Sequence, residues 1–121
     1  MTNKKRVLLV DDHPKLLKFI EVDLKAHDFE VNTVVSGQEG LEAIRSNRLD
    51  IILLDIRMPE MDGFEVLRRL RKFSLLPVIA YSATPEYSSR ALECGANAFI
   101  AKPFEMDQLI RLINELTNHR E

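Results

Sequence analysis

Cysteine occurs once, at Cys94, so no internal disulfide can form, and the chain is expected in a reducing compartment, the cytoplasm. No apolar stretch approaches the roughly 20 residues that span a bilayer. The start, Met1-Thr2-Asn3-Lys4-Lys5-Arg6, is basic, but the short run Val7-Leu8-Leu9-Val10 behind it is not the long apolar region of a signal peptide. A surplus of one charge is missing too. The 17 Lys and Arg nearly balance 19 Asp and Glu, so no global positive field draws in nucleic acid or an anionic membrane. Long linkers, internal repeats and low-complexity tracts are also lacking. What remains is 121 residues, 45% hydrophobic and 30% charged. That is enough chain for one core and too little for two, so a single domain over 1–121 is expected, with no output domain within it.

The hydrophobic pattern alternates between two periods. Val7 to Val10 is a continuous apolar run, followed by Leu16, Leu17, Ile20 and Leu24 at helical spacing, with Pro14 suited to the first turn. "FEVNTVV" reads as a strand with one wetter side, and Ser36-Gly37-Gln38-Glu39 as a capping box opening a second helix. Ile51 to Leu54 is a third strand and "FEVLRRLRK" a third helix. "LPVIAYS" is a fourth strand, and Thr84-Pro85 reads as an N-cap with proline at the first position of a helix stopped by Gly95. "AFIA" and an apolar stripe from Met106 to Leu116 complete the fifth pair. Strand and helix alternating five times predict an α/β fold: a doubly wound (βα)5 parallel sheet, a flavodoxin-like three-layer sandwich. The most apolar strands, the first, third and fourth, belong in the centre, and Glu30, Asn32 and Thr33 put the second at an edge, in the order 2-1-3-4-5.

In such a sheet, chemistry gathers outside the carboxyl ends of the strands, near the switch point between the first and third. There the first strand ends in Asp11-Asp12, the third in Asp55, the fourth in Ser82 and the fifth in Lys102. Three carboxylates in one crevice repel unless a cation intervenes. Lys102 offsets one charge, and Mg²⁺ suits a site of one or two carboxylates that keeps waters to exchange for phosphate oxygens. Asp55 is then placed as a nucleophile towards a phosphoryl donor, with Ser82 as a hydrogen-bond donor to a phosphoryl oxygen. Taken singly, Asp11-Asp12 reads equally as a helix cap, Asp55 as a loop residue before Pro59, Ser82 as the end of its strand and Lys102 as solvated. Their convergence on one rim favours a site.

"LLVDDHP", "DIILLDIRMPEMDG", "VIAYSA" and "GANAFIAKPF" together resemble the response-regulator receiver domain of two-component signalling, over essentially the whole chain. The resemblance implies that Asp55 is the phosphoacceptor, that Asp11 and Asp12 are the acidic pair serving Mg²⁺, and that Ser82 and Lys102 are the switch hydroxyl and the phosphate-binding lysine. It further implies the backbone carbonyl of Arg57 as a metal ligand and a cis Lys102–Pro103 bond. By the same resemblance, a sensor histidine kinase or histidine phosphotransfer protein supplies the phosphoryl group, and Phe99 follows Ser82 to reshape the face made by the fourth helix, fifth strand and fifth helix for a downstream target. Ser82 and Phe99 replace the more frequent threonine and tyrosine. Arg57 and Thr84 are expected to flank the mouth through which an attacking water comes, and so to govern phosphoryl lifetime. A phosphorylation-dependent dimer stays open. However, Asn97-Ala98 stands where receivers attached to winged-helix DNA-binding domains usually carry an acidic pair, so their dimer is not carried over.

Three other functions compete. A haloacid dehalogenase-like phosphatase wants an acid two residues after its nucleophile, where Arg57 stands. A flavin-binding flavodoxin-like domain wants Ser, Thr and Gly donors after the first strand, where Asp11-Asp12-His13-Pro14 stands. A non-phosphorylated pseudo-receiver, acting as an interaction module, would have lost part of the acid, hydroxyl and lysine set. Elsewhere bland readings hold. His13 reads as a solvated loop histidine without a second metal-ligating partner, Cys94 as a small buried residue, and Arg68, Arg69, Arg71 and Lys72 as a solvated basic face.

Overall fold

The structure is a computed structural model and describes residues 3–118; residues 1, 2 and 119–121 of the expected domain lie outside the described residues. The elements run β1 (Arg6–Val10), α1 (Pro14–Ala26), β2 (Glu30–Val34), α2 (Gly37–Ser46), β3 (Ile51–Asp55), α3 (Gly63–Leu70), β4 (Val78–Ser82), α4 (Ser88–Glu93), β5 (Ala98–Ala101) and α5 (Met106–Asn118). All neighbouring strands pair in parallel, in the order β2-β1-β3-β4-β5.

The unbroken apolar strands follow from burial on both sides. Side chains alternate across a strand, so a central strand covered by helices on both faces has no wet position. Leu8, Val10, Ile52 and Leu54 pack beneath α2 and α3, against Leu41, Ile44, Phe64 and Leu67. Val7, Leu9, Ile51 and Leu53 turn the other way, onto Leu17, Ile20 and Leu24 of α1 and Leu109 and Ile113 of α5. At the β2 edge only Val31 is buried, and Glu30, Asn32 and Thr33 face water.

Three local expectations change in detail. Ser36 Oγ caps α2 by accepting from the Glu39 N–H at 3.1 Å, but Glu39 reaches back to the Val35 N–H, one residue before the cap. Thr84 does not cap with its side chain; a 3-10 turn, Pro85–Tyr87, precedes α4, and the Thr84 N–H instead donates to Ser82 Oγ at 3.1 Å. Arg71, expected inside α3, is its C-cap. Gly95 does end α4, in the left-handed region at φ +116°, where a side chain would be strained. Cys94 is half-buried, with its sulfur 3.7 Å from the Arg68 guanidinium.

Candidate active site

Parallel strands bring their carboxyl ends to one rim, and the residues expected at those four strand ends meet there. Asp11 extends β1 by donating its N–H to the Val34 carbonyl at 3.2 Å, and it is completely buried. Asp55 closes β3 and Ser82 closes β4, each only 1% exposed. Lys102 follows β5, tied by its N–H to the Ser82 carbonyl at 2.9 Å. Its Nζ lies 3.4 Å from Asp55 Oδ1 and 3.8 Å from Asp11 Oδ2. The Lys102–Pro103 peptide bond is cis.

An open cleft of about 730 Å³ lies over this rim, lined by Asp12, His13, Asp55, Arg57, Ser82 and Lys102 among others. Ala83 forms part of its wall, and Thr84 stands one residue further along, half-buried. Phe99 is also half-buried; it packs against the core beneath α2 and α3, with Ala80 as its ladder partner.

Charge in the cleft is incompletely balanced. The Asp55 carboxyl is pushed up to about 6, by burial first and by the negative charge of Asp11 second, with Lys102 pulling the other way. Two buried carboxylate oxygens, Asp12 Oδ1 and Asp55 Oδ2, have no hydrogen-bond partner among the described residues. Buried anionic oxygens left without donors are costly, and a hard dication with oxygen preference satisfies both at once. The donor set therefore fits Mg²⁺.

The backbone beneath Asp55 is as constrained as the side chains above it. Gly63 opens α3 and donates its N–H to the Ile56 carbonyl at 2.8 Å. A Cβ on Gly63 would stand 2.7 Å from the Asp55 carbonyl oxygen and 2.8 Å from Ile56 Cα, so only glycine lets α3 press this close to the loop. Asp62 caps the same helix through the Glu65 N–H at 3.0 Å.

The response regulator receiver domain family matches residues 7–114. The chain belongs to this family. Response regulator ArlR of Staphylococcus saprophyticus is 33% identical to the receiver over 113 residues, covering 92% of this chain and 51% of ArlR. The chain spans about half the length of the curated relatives it matches. Among solved structures, a Francisella response regulator receiver domain aligns with a TM-score of 0.92 at 32% identity, covering 98% of this chain and 100% of that one. Response regulator TrrA of Thermotoga maritima, in complex with Mg²⁺–BeF, aligns with a TM-score of 0.86 at 31% identity, covering 93% of this chain and 98% of that one.

One polar side chain of this receiver escaped the sequence reading, and a second was read only as solvated. Tyr81 is 1% exposed, and its hydroxyl donates to Asp11 Oδ2 at 2.5 Å, while its ring lies 4.6 Å beneath Lys102 Nζ. Burial, then the charge of Asp11, raises the phenol well above its ordinary range and keeps it a donor. A tyrosine in a strand buried on both faces was the available signal, since a buried hydroxyl needs a partner. His13 corrects the bland reading directly. Its side chain is 60% exposed, yet Nδ1 lies 2.9 Å from Asp11 Oδ1, 3.2 Å from Asp12 Oδ1 and 3.7 Å from Asp55 Oδ2. The contact with Asp11 is the main cause raising its pKa above the ordinary histidine value.

Proposed function

We propose that this receiver takes a phosphoryl group onto Asp55 from a sensor histidine kinase or a histidine phosphotransfer protein, in the cytoplasm, and passes the signal through a changed α4–β5–α5 face. The observation that carries this reading is the Asp55 carboxylate: buried, facing an open cleft, with Oδ1 near Lys102 and Oδ2 without a donor. An Asp55 oxygen attacks the phosphorus of the donor, the bond to the leaving group breaks, and the leaving group departs with that electron pair. Lys102 neutralises charge on the phosphoryl oxygens, and the Ser82 hydroxyl donates to one of them. Asp11, Asp12, Asp55 and the Arg57 carbonyl hold Mg²⁺, which when bound neutralises the carboxylates and phosphoryl oxygens together. Solution of TrrA in complex with Mg²⁺–BeF supports this assignment by similarity. Phe99 responds to the movement of Ser82, and the reader of the changed face is a downstream protein or an output domain. The chain catalyses its own phosphorylation and dephosphorylation and is a signalling component rather than an enzyme acting on a separate substrate.

Intact mass after incubation with acetyl phosphate tests the reading. One phosphoryl group is expected to add in the presence of Mg²⁺, none with chelator, and none to Asp55→Asn. Should the protein gain nothing and beryllofluoride leave its spectrum unchanged, the pseudo-receiver reading replaces this one.

Arg57 is exposed on the cleft wall, two residues after Asp55. In this reading its guanidinium pairs with the phosphoryl group or shields it from water. Arg57→Asn is expected to lose the phosphoryl group about fivefold faster, equivalent to about 1 kcal/mol for one exposed charge contact. Equal decay of the two radiolabelled proteins would remove Arg57 from any role in lifetime.

A further inference from the structure

We infer that His13 is a further ligand at the cation site, and that its imidazole tilts the site from Mg²⁺ towards first-row transition-metal dications such as Mn²⁺, Co²⁺ and Ni²⁺. This rests on the reading of the acid pocket as a cation site and deepens it. Asp11 is engaged at both oxygens: Oδ1 meets the His13 backbone N–H and the ring Nδ1, each at 2.9 Å, and Oδ2 accepts from Tyr81. The open donors are Asp12 Oδ1 and the almost fully buried Asp55 Oδ2, the two oxygens without partners. His13 Nδ1 lies 3.2 Å from the first and 3.7 Å from the second. Adjacent donors on an octahedral ion with bonds of about 2.1 Å stand about 3 Å apart, close to the first of those separations and within a small ring adjustment of the second. One donor atom from each of Asp11, Asp12, His13 and Asp55 falls within 4.8 Å of all the others, the dimension of a single coordination sphere.

The chain holds the ring there for a local reason. Pro14 restricts the residue before it to extended backbone, and His13 has φ −102° and ψ 99°. His13 is the N-cap of α1 but makes no side-chain capping bond, and its imidazole turns to the acids instead, with Nδ1 2.9 Å from Asp11 Oδ1. A ring nitrogen adds little for hard Mg²⁺, which prefers oxygen and keeps its waters, and adds most along the series towards Ni²⁺. Without the ion, Nδ1 carries the proton it donates to Asp11 Oδ1; on ligation that contact is exchanged for the ion, the ring proton moves to Nε2, and the Nδ1 lone pair faces the ion.

Mn²⁺ and Ni²⁺ serve as probes. Pulsed electron spin resonance of the Mn²⁺-loaded protein is expected to show nitrogen modulation that changes on ¹⁵N-histidine labelling and disappears in His13→Phe while Mn²⁺ stays bound. Calorimetric titration is expected to show Ni²⁺ affinity falling about tenfold in His13→Phe, with Mg²⁺ affinity changing less than about twofold. Asp12→Asn is the reference and weakens both ions. Mn²⁺ that binds the wild type, is weakened by Asp12→Asn, and shows no histidine coupling overturns the role of His13 and leaves the cation site standing. Mn²⁺ binding that is absent, or indifferent to Asp12→Asn, overturns both.

Discussion

Arg71→Met is expected to destabilise the domain by about 3 kcal/mol, although Arg71 lies in a run of surface-like cations. The three arginines of that run have different fates. Arg68 and Arg69 both pair with Glu65, at 2.8 and 2.7 Å, on the exposed flank of α3. Exposed helical pairs of this kind are screened by water and contribute little to stability. Arg71, at the C-cap, turns inward instead. Its Nε and Nη2 donate to the Gly95 carbonyl at 3.0 and 2.9 Å, its Nη1 to the Ser74 carbonyl at 3.1 Å, and Nη2 also to Asn97 Oδ1 at 3.0 Å. Asn97 Oδ1 in turn accepts from the Val78 N–H at 2.9 Å, at the start of β4. One guanidinium thus ties the end of α3, the loop after it, the turn after α4 and the approach to β5. Burial lowers its pKa, but a guanidinium stays charged at neutral pH, and its donors meet fixed carbonyls. Methionine keeps the stem and strands the acceptors. Lysine keeps the charge but cannot reproduce the fork, so Arg71→Lys is expected to recover less than half of the loss. Urea unfolding at pH 7 measures it; a loss below about 1 kcal/mol, comparable to that of Arg69→Ala, would mean that water satisfies those carbonyls equally well.

Arg71 also marks what a sequence can and cannot convey. Ile51 to Leu54 announced a strand buried on both faces with Asp55 at its end, and the contrast between such apolar strands and the wetter Glu30, Asn32 and Thr33 led to the sheet order. The convergence of Asp11, Asp55, Ser82 and Lys102 was legible because strand ends in a parallel sheet share one rim whatever the side-chain conformations. The partners of Arg71, His13 and Tyr81 were not legible, because they depend on where a side chain turns once its backbone is placed. A cation at the end of a helix faces water or a neighbouring turn according to a rotation that leaves no trace in spacing. His13 follows the acid pair by one residue, but only the extended backbone imposed by Pro14 brings its ring over the acids. Tyr81 reads as one more apolar residue until its hydroxyl is seen to need Asp11.

At pH 7 and without divalent cations, Asp55→Asn is expected to be more stable than the wild type by about 2 kcal/mol, against the usual sign of a substitution. The cause is the charge itself. In the folded state the Asp55 carboxyl is pushed up to about 6, by its burial and then by Asp11, while in the unfolded chain it titrates at about 3.9. Between those values the native state holds a proton that the unfolded chain has released, so stability falls as pH rises through that window. Above it both states are ionised, and the penalty is constant at about 3 kcal/mol by linkage. Asparagine removes that penalty but leaves Lys102 with one carboxylate fewer, which returns part of the gain. Urea titrations of both proteins at pH 4 and pH 7 are expected to show a gap near zero at the lower pH and the full gap at the higher. A gap independent of pH would mean that shape or hydrogen bonding, rather than ionisation, sets the difference. Added Mg²⁺ is expected to narrow the gap, because an ion that binds the native wild type stabilises it by mass action and finds a weaker site beside asparagine. The instability of Asp55 is then the counterpart of its proposed use: the same burial that weakens the cation-free fold leaves Oδ2 without a donor, open to a cation or a phosphoryl group.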